Sequence, residues 1–119
     1  MEKQEKQERQ ENYLTPIIRE MERVTRLLVN YGFTPEELAF TGKKHGRQPS
    51  WQARHVIVWS MCKAATRHGL GIQEVARATG TTYAACLNNY YEVTQALKGT
   101  NYPMINRLVT LVDKDKARR

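Results

Sequence analysis

The residues best suited to a chemical task in this 119-residue sequence are the small and polar ones that follow Gly80. Hydroxyl and amide groups hydrogen-bond to base edges, and an asparagine amide matches the N6/N7 edge of adenine. Alanine is small enough to let a helix backbone approach the bases and to contact a thymine methyl group. The residues expected to read base edges are Thr81, Thr82, Ala84, Ala85 and Asn88.

Residues 71–97 predict the two helices that would present these side chains. In the first helix Ile72, Val75 and Ala76 face inward, and Ala76 is small enough for a close helix crossing. Gly80 permits the positive φ that a tight turn after this helix needs. This order is typical of a helix-turn-helix, whose second helix enters the DNA major groove. An ordinary corner between two helices uses the same residue types and remains the alternative.

Positive charge is concentrated in the same part of the chain. The net charge is +7, and residues 43–119 contain 13 Lys and Arg against four Asp and Glu, whereas residues 1–42 contain six against eight. A small domain this basic most often binds a polyanion and gains affinity by releasing counterions from phosphates. The alternative is a soluble basic protein without a nucleic-acid ligand, in which the loop that contains Lys43, Lys44 and Arg47 is a mobile charged linker and the other cations only solvate the surface. The expected contacts to the DNA backbone or minor groove are Lys43, Lys44, Arg47, Arg54, Lys63, Arg67, Arg77 and Tyr91.

The sequence offers little for catalysis or metal binding. Its three histidines are far apart, and we expect His55 and His68 at surface or capping positions. Cys62 and Cys86 fall on predicted core faces, and two cysteines exclude a disulfide scaffold and a four-thiolate zinc site. Glu74 is expected to pair with a nearby arginine, and no G-x-x-x-x-G-K-[ST] phosphate loop is present. We therefore expect no enzymatic activity, no metal and no cofactor.

The chain is predicted to form an all-α fold of about six helices, because no period-2 strand pattern occurs. These helices would position the side chains named above. An amphipathic helix is expected to start at Thr15-Pro16, with Thr15 as cap, and to end at Gly32. The pattern Thr34-Pro35-Glu36-Glu37 repeats this start signal and predicts a short helix that Thr34 caps and Gly42 stops. Further helices are expected from about Trp51 to His68 with Ser50 as cap, over 72–79, from Thr82 to about Lys98, and from Tyr102-Pro103. The predicted organisation is a disordered lead-in at 1–12, N-terminal helices at 13–42, a DNA-binding core at 43–113 and a basic tail at 114–119.

Helical geometry divides the helix after Gly80 into two faces at 100° per residue. The predicted core face contains Tyr83, Cys86, Leu87, Tyr90, Val93, Thr94 and Leu97. The predicted outward face contains Thr81, Ala84, Ala85, Asn88, Tyr91, Glu92 and Gln95.

Two stretches resemble the C-terminal DNA-binding domain of the bacterial replication initiator DnaA. Residues 54–59 (RHVIVW), which follow the basic GKKHGR, resemble its R-Q-I-A-M-Y, and residues 71–80 (GIQEVARATG) resemble its S-L-x-E-I-G-R-x-F-G. The resemblance covers residues 43–112 and implies a Trp-repressor-like fold, with Arg54 in the minor groove and residues 81–88 in the major groove. The D-H-T-T motif of that family is absent here. The implied role is replication or transcription regulation in a mobile element or phage.

Two other functions remain open, a protein-interaction module that uses the 17–31 helix and an RNA-binding helical domain. The broad apolar stripe of residues 16–31 also suits a homodimer, although packing into the chain's own core is the preferred interpretation. No apolar run approaches the roughly 20 residues of a membrane span. The N-terminus has no apolar stretch like that of a signal peptide, so we expect the protein in the cytoplasm, at a bacterial nucleoid or in a phage-infected cell.

Overall fold

The computed structural model describes residues 2–40, 49–99 and 101–117, with side chains from Tyr13 onward apart from those of Pro49 and Ala117. Six helices make up this part of the chain, and the described residues contain no strand. The predicted all-α fold of about six helices is confirmed. The helices are α1 (Glu2–Tyr31), α2 (Pro35–Leu38), α3 (Pro49–Arg67), α4 (Ile72–Thr79), α5 (Tyr83–Ala96) and α6 (Pro103–Ala117).

Helix α3 is the centre of the fold and packs against all five other helices. Every residue from Ala53 to Cys62 is buried, which includes polar side chains as well as apolar ones. A helix that is buried on all sides has no wet face, and this explains why α3 carries only a weak amphipathic pattern. One hydrophobic core extends from Ile17 on α1 to Val112 on α6.

Helix α1 begins at Glu2, so the predicted helix start at Thr15-Pro16 is wrong. Pro16 lies inside the helix, where it lacks the amide hydrogen that would bond to the carbonyl four residues earlier. Packing compensates for this loss, because Ile17, Val24 and Leu28 are fully buried. The apolar stripe of α1 is thus used within the chain, as the preferred interpretation expected.

Glycines end three helices where the sequence predicted breaks. Gly32, Gly69 and Gly80 all have positive φ. After each of them the next residue donates its amide hydrogen back into the last turn, as Leu70 does to the Ala65 carbonyl at 2.8 Å. This is the Schellman arrangement, which only glycine adopts without steric cost.

Four predicted boundaries need correction. Helix α2 is capped by Thr34 as predicted but ends at Leu38, before Gly42, which lies outside the described residues. Helix α3 begins at Pro49, so Ser50 is its second residue and not its cap. Helix α5 ends at Ala96 with Leu97 as C-cap, before the expected Lys98. Helix α6 continues to Ala117, into the segment predicted as a solvated tail.

None of the described helices combines the length and the apolar character needed to cross a lipid bilayer.

Candidate functional site

Helices α4 and α5 are joined by three residues, Gly80, Thr81 and Thr82. Helix α4 spans 72–79 as predicted, and Gly80 follows it with φ 69° and ψ 23° in the left-handed region. The Thr81 amide donates to the Ala76 carbonyl at 3.1 Å, which closes the end of α4. The turn therefore has the glycine conformation that the sequence predicted, and Thr82, the expected start of the second helix, is the N-cap of α5.

Threonine hydroxyls hold this turn together. The Thr81 hydroxyl lies 2.7 Å from that of Thr79 and 3.3 Å from the sulfur of Cys86, so it points toward the chain's interior. The Thr82 hydroxyl is exposed and accepts the Ala85 amide hydrogen at 3.1 Å, which caps α5. Of the two threonines predicted to read bases, Thr82 faces solvent, whereas Thr81 is half-buried and bonded within the turn.

The outward face of α5 is exposed from its first turn. Ala84, Asn88 and Tyr91 are all exposed, and Gln95 continues the same face, while Ala85 at its border is half-buried. This face is uncharged over its first two turns. The structure thus brings together Thr82, Ala84, Asn88 and Tyr91 from the predicted set.

The predicted core face of α5 is rotated from the observed one. Tyr83 was expected inside but is 49% exposed. The fully or nearly fully buried residues are Cys86, Val93 and Ala96, the last of which was not predicted. The flanking apolar residues Leu87, Tyr90 and Leu97 are half-buried.

Arg54 does not lie on the surface, which corrects the expectation that it reaches a minor groove. Only 8% of the residue is exposed, and its Nη1 donates to the Glu37 carbonyl at the end of α2 at 2.6 Å. Its Nη2 is buried and has no hydrogen-bond partner among the described residues. Burial lowers the pKa of Arg54. In this arrangement Arg54 connects α3 to α2.

The other predicted phosphate contacts are dispersed. Arg77 is exposed on α4, close to the α4–α5 turn. Lys63 lies over the Trp59 ring at 4.4 Å from its centroid, and Arg67 lies 4.0 Å from Glu20 of α1. Both therefore belong to the junction of α1, α3 and α6. The predicted contacts Lys43, Lys44 and Arg47 lie outside the described residues.

His55 is buried, so its predicted surface position is wrong, whereas His68 is exposed as expected. The Nδ1 atom of His55 lies 2.8 Å from a carboxylate oxygen of Glu92 on α5. Its ring lies against Trp51, with 4.2 Å between the ring centroids. Burial raises the pKa of Glu92. No local pattern signals this contact, because the partners are far apart in sequence.

Glu74 accepts a hydrogen bond from the Tyr13 hydroxyl of α1 and another from the Gly71 amide at 3.2 Å. The hydrogen bond from Tyr13 is the largest cause, and together with the backbone amides of Glu74 and Gly71 and the charge of Arg77 it outweighs burial and lowers the pKa of Glu74. The expected arginine neighbour is thus present, but the main partner is a tyrosine. Glu74 has a structural role in capping α4 and in joining it to α1.

Within the described ranges, no three His, Cys, Asp or Glu side chains lie close enough together to hold a metal ion. Cys62 and Cys86 are both free and buried, as predicted. Burial, with a smaller contribution from Cys86, raises the pKa of the Cys62 thiol to about 12.

Comparison with protein-family models, with curated proteins and with solved structures gave no match. The resemblance to the DnaA domain therefore rests on the quoted motifs alone.

Proposed function

We propose that this protein binds double-stranded DNA in a sequence-specific manner, with α4, the turn 80–82 and α5 acting as a helix-turn-helix. The observation that carries the proposal is the exposed, small and uncharged face at the start of α5, presented directly after a three-residue glycine turn. A recognition helix lies in the major groove, and short uncharged side chains on its outer face let its backbone approach the base edges closely. By the resemblance to DnaA, the role is in replication or transcription regulation.

The exposed side chains of α5 would recognise bases in two ways, by fitting their shape and by hydrogen bonding. Ala84 and Asn88 are both exposed and one helical turn apart. The amide of Asn88 suits an adenine edge, and Ala84 suits a neighbouring thymine methyl. The exposed hydroxyls of Thr82 and Tyr91 extend the same surface toward the DNA strands.

Affinity in this proposal comes from the cations of residues 43–119. Arg77 lies next to the turn, and the basic stretch that includes Lys43, Lys44 and Arg47 immediately precedes α3. If four of these cations contact phosphates, affinity should fall roughly 150-fold between about 50 mM and 200 mM salt. A protein-interaction module would show a much weaker salt dependence.

The first experiment is a selection of bound duplexes from a random DNA pool, at low and at moderate salt. An enriched motif whose affinity decreases steeply with salt supports the proposal. RNA bound more tightly than the duplex, or salt-independent capture with no enriched motif, would refute it.

A capping exchange then tests whether α5 enters a groove. Thr82→Asp keeps an N-cap side chain, so stability is preserved, but it places a negative charge at the proposed DNA surface. Thr34→Asp is the matched control, because Thr34 caps α2 in the same way, accepting the Glu37 amide at 3.2 Å. Helix α2 packs on α1 and α3 and not on α5. We expect at least a tenfold loss of duplex affinity for Thr82→Asp alone, and equal losses for both variants would contradict the proposed interface.

A homodimer through residues 16–31 would use only the part of α1 that the fold leaves uncovered, such as the exposed Val29 and Tyr31. In that case two α5 helices about 34 Å apart would read a two-fold site. Sedimentation equilibrium with and without the selected duplex distinguishes one copy from two.

A further inference from the structure

A cleft of about 640 Å³ opens beside the His55–Glu92 contact. Its walls carry three aromatic rings from different elements: Trp51 from the start of α3, Tyr91 from the second half of α5 and Tyr102 from just before α6. Buried Ala96 and Ile105 contribute apolar lining. Its volume is within the range of sites that enclose small organic molecules.

The charge of the cleft is opposite to that of the whole chain. The sequence has 19 Lys and Arg against 12 Asp and Glu, yet no described residue that lines the cleft is basic. Its charged group is the Glu92 carboxylate, and its other polar side chains are the amides of Gln95 and Asn101. Such a lining disfavours phosphates and carboxylates and attracts a cation.

Aromatic faces reinforce this selectivity. The face of a tryptophan or tyrosine ring carries partial negative charge, which attracts cations. The same face also stacks against flat aromatic rings. Tyr91 and Tyr102 are 56% and 43% exposed, so both rings are accessible to a ligand.

We propose that the cleft between α3, α5 and α6 binds a small planar aromatic cation, held by the rings of Trp51, Tyr91 and Tyr102 and by the carboxylate of Glu92. Tyr91 is shared with the proposed DNA surface, but the residues proposed to read bases at the start of α5, such as Ala84 and Asn88, do not line the cleft. Its test contains no DNA, so it succeeds or fails independently of the proposed function.

The test uses three probes that share one ring system and differ in charge: 1-naphthylmethylamine, 1-naphthalenemethanol and 1-naphthaleneacetate. Binding to the full-length protein is measured by isothermal titration calorimetry, and Trp51 is observed by fluorescence in a Trp59→Phe background. We expect the amine to bind with a Kd below about 1 mM, about tenfold more tightly than the alcohol. The acetate should bind most weakly.

Two variants and a control locate the site. Glu92→Gln should reduce binding of the amine to the level of the alcohol, and Tyr102→Ala should weaken both about tenfold. Tyr83→Ala is the matched control, because Tyr83 is an equally exposed tyrosine on α5 outside the cleft. Circular dichroism confirms that each variant is folded. Undetectable binding of the amine, equal binding of the amine and the acetate, or an unchanged Kd in Tyr102→Ala would overturn the proposal.

Discussion

The carboxylate of Glu20 and the guanidinium of Arg23 form a double hydrogen bond along α1, with nitrogen–oxygen distances of 2.8 and 2.9 Å. Both side chains are only 10% exposed. Glu20 also accepts a hydrogen bond from Ser60 of α3, and Arg23 reaches Asp115 of α6 at 2.7 Å. This pair therefore joins three helices through one network.

Removal of Arg23 should destabilise the protein strongly. Arg23→Ala leaves the buried carboxylate of Glu20 without its principal partner, and an uncompensated charge of this kind costs about 3 kcal/mol. Arg26→Ala, at an exposed arginine on the same helix, is the control and should change the free energy of unfolding by less than about 0.5 kcal/mol. Urea unfolding of both variants gives the comparison. Similar losses in both would mean that the network contributes nothing specific.

The same network should make stability depend on acid pH. Burial acts to raise the pKa of Glu20, but the hydrogen bonds from Arg23 and Ser60 outweigh it and hold the pKa below its ordinary value of 4.5. Because the pKa of Glu20 is lower in the folded state than in the unfolded state, its carboxylate stabilises the fold at pH values above 4.5. This stabilisation is lost as the pH falls below 4.5 and through the folded-state pKa. The stability advantage of wild type over Glu20→Gln should therefore shrink in that window. Parallel pH curves for the two proteins would contradict this assignment.

Gly80 and Gly99 provide a matched pair for the turn before α5. At both positions a Cβ atom would meet nothing within 4 Å, but only Gly80 has a positive φ, of +69°. Gly80→Ala should cost about 1 to 2 kcal/mol through backbone strain alone. Gly99→Ala should be neutral or slightly stabilising, because it reduces the entropy of the unfolded chain. Thermal unfolding of both variants measures the difference, and equal effects would show that backbone conformation does not govern the turn.

Thiol reactivity should report global unfolding. Cys62 and Cys86 are 4% and 0% exposed, and burial raises the pKa of Cys62 to about 12. The thiolate is the reactive form, which Cys62 does not reach at pH 8, and Cys86 is shielded from the reagent, so neither cysteine should react with Ellman's reagent at pH 8 in the folded protein. Both should react in guanidinium chloride. Rapid reaction of one thiol without denaturant would indicate local opening of the α3–α5 contact.

The sequence predicted most of the elements because their signals are local. The limits of α4 follow from the glycines on either side of it, and the cap of α2 follows from the Thr34-Pro35-Glu36-Glu37 pattern. The start of α1 was missed because Pro16 fits a first turn equally well, and only tertiary packing lets the helix pass through it.

The buried face of α5 was predicted only in part, because the limits of a buried face depend on the neighbouring helices. Helical geometry placed Cys86 and Val93 inside correctly, but it also placed Tyr83 inside, which is 49% exposed. Ala96, which the prediction placed on neither face, is buried as well. The His55–Glu92 contact joins α3 to α5, and no periodic pattern in the sequence predicts it.

Substitutions of Arg54 distinguish a structural role of this residue from a role in DNA binding. It is buried and bonded to the Glu37 carbonyl, so Arg54→Ala should cost about 2 kcal/mol through lost packing and a lost hydrogen bond. Arg54→Met keeps the apolar stem and removes the charge, and it should recover much of that loss. The Met variant should bind the selected duplex within about twofold of wild type, whereas Arg77→Met should weaken binding to all duplexes with little effect on stability.

Fluorescence anisotropy at fixed salt measures the affinities of both variants, and urea unfolding measures their stabilities. A guanidinium inserted in a minor groove contributes strongly to affinity, so its loss would weaken binding about tenfold or more even in a stable protein. That result for Arg54→Met would mean that the start of α3 rearranges on DNA, because the side chain cannot reach a groove while it lies under α2.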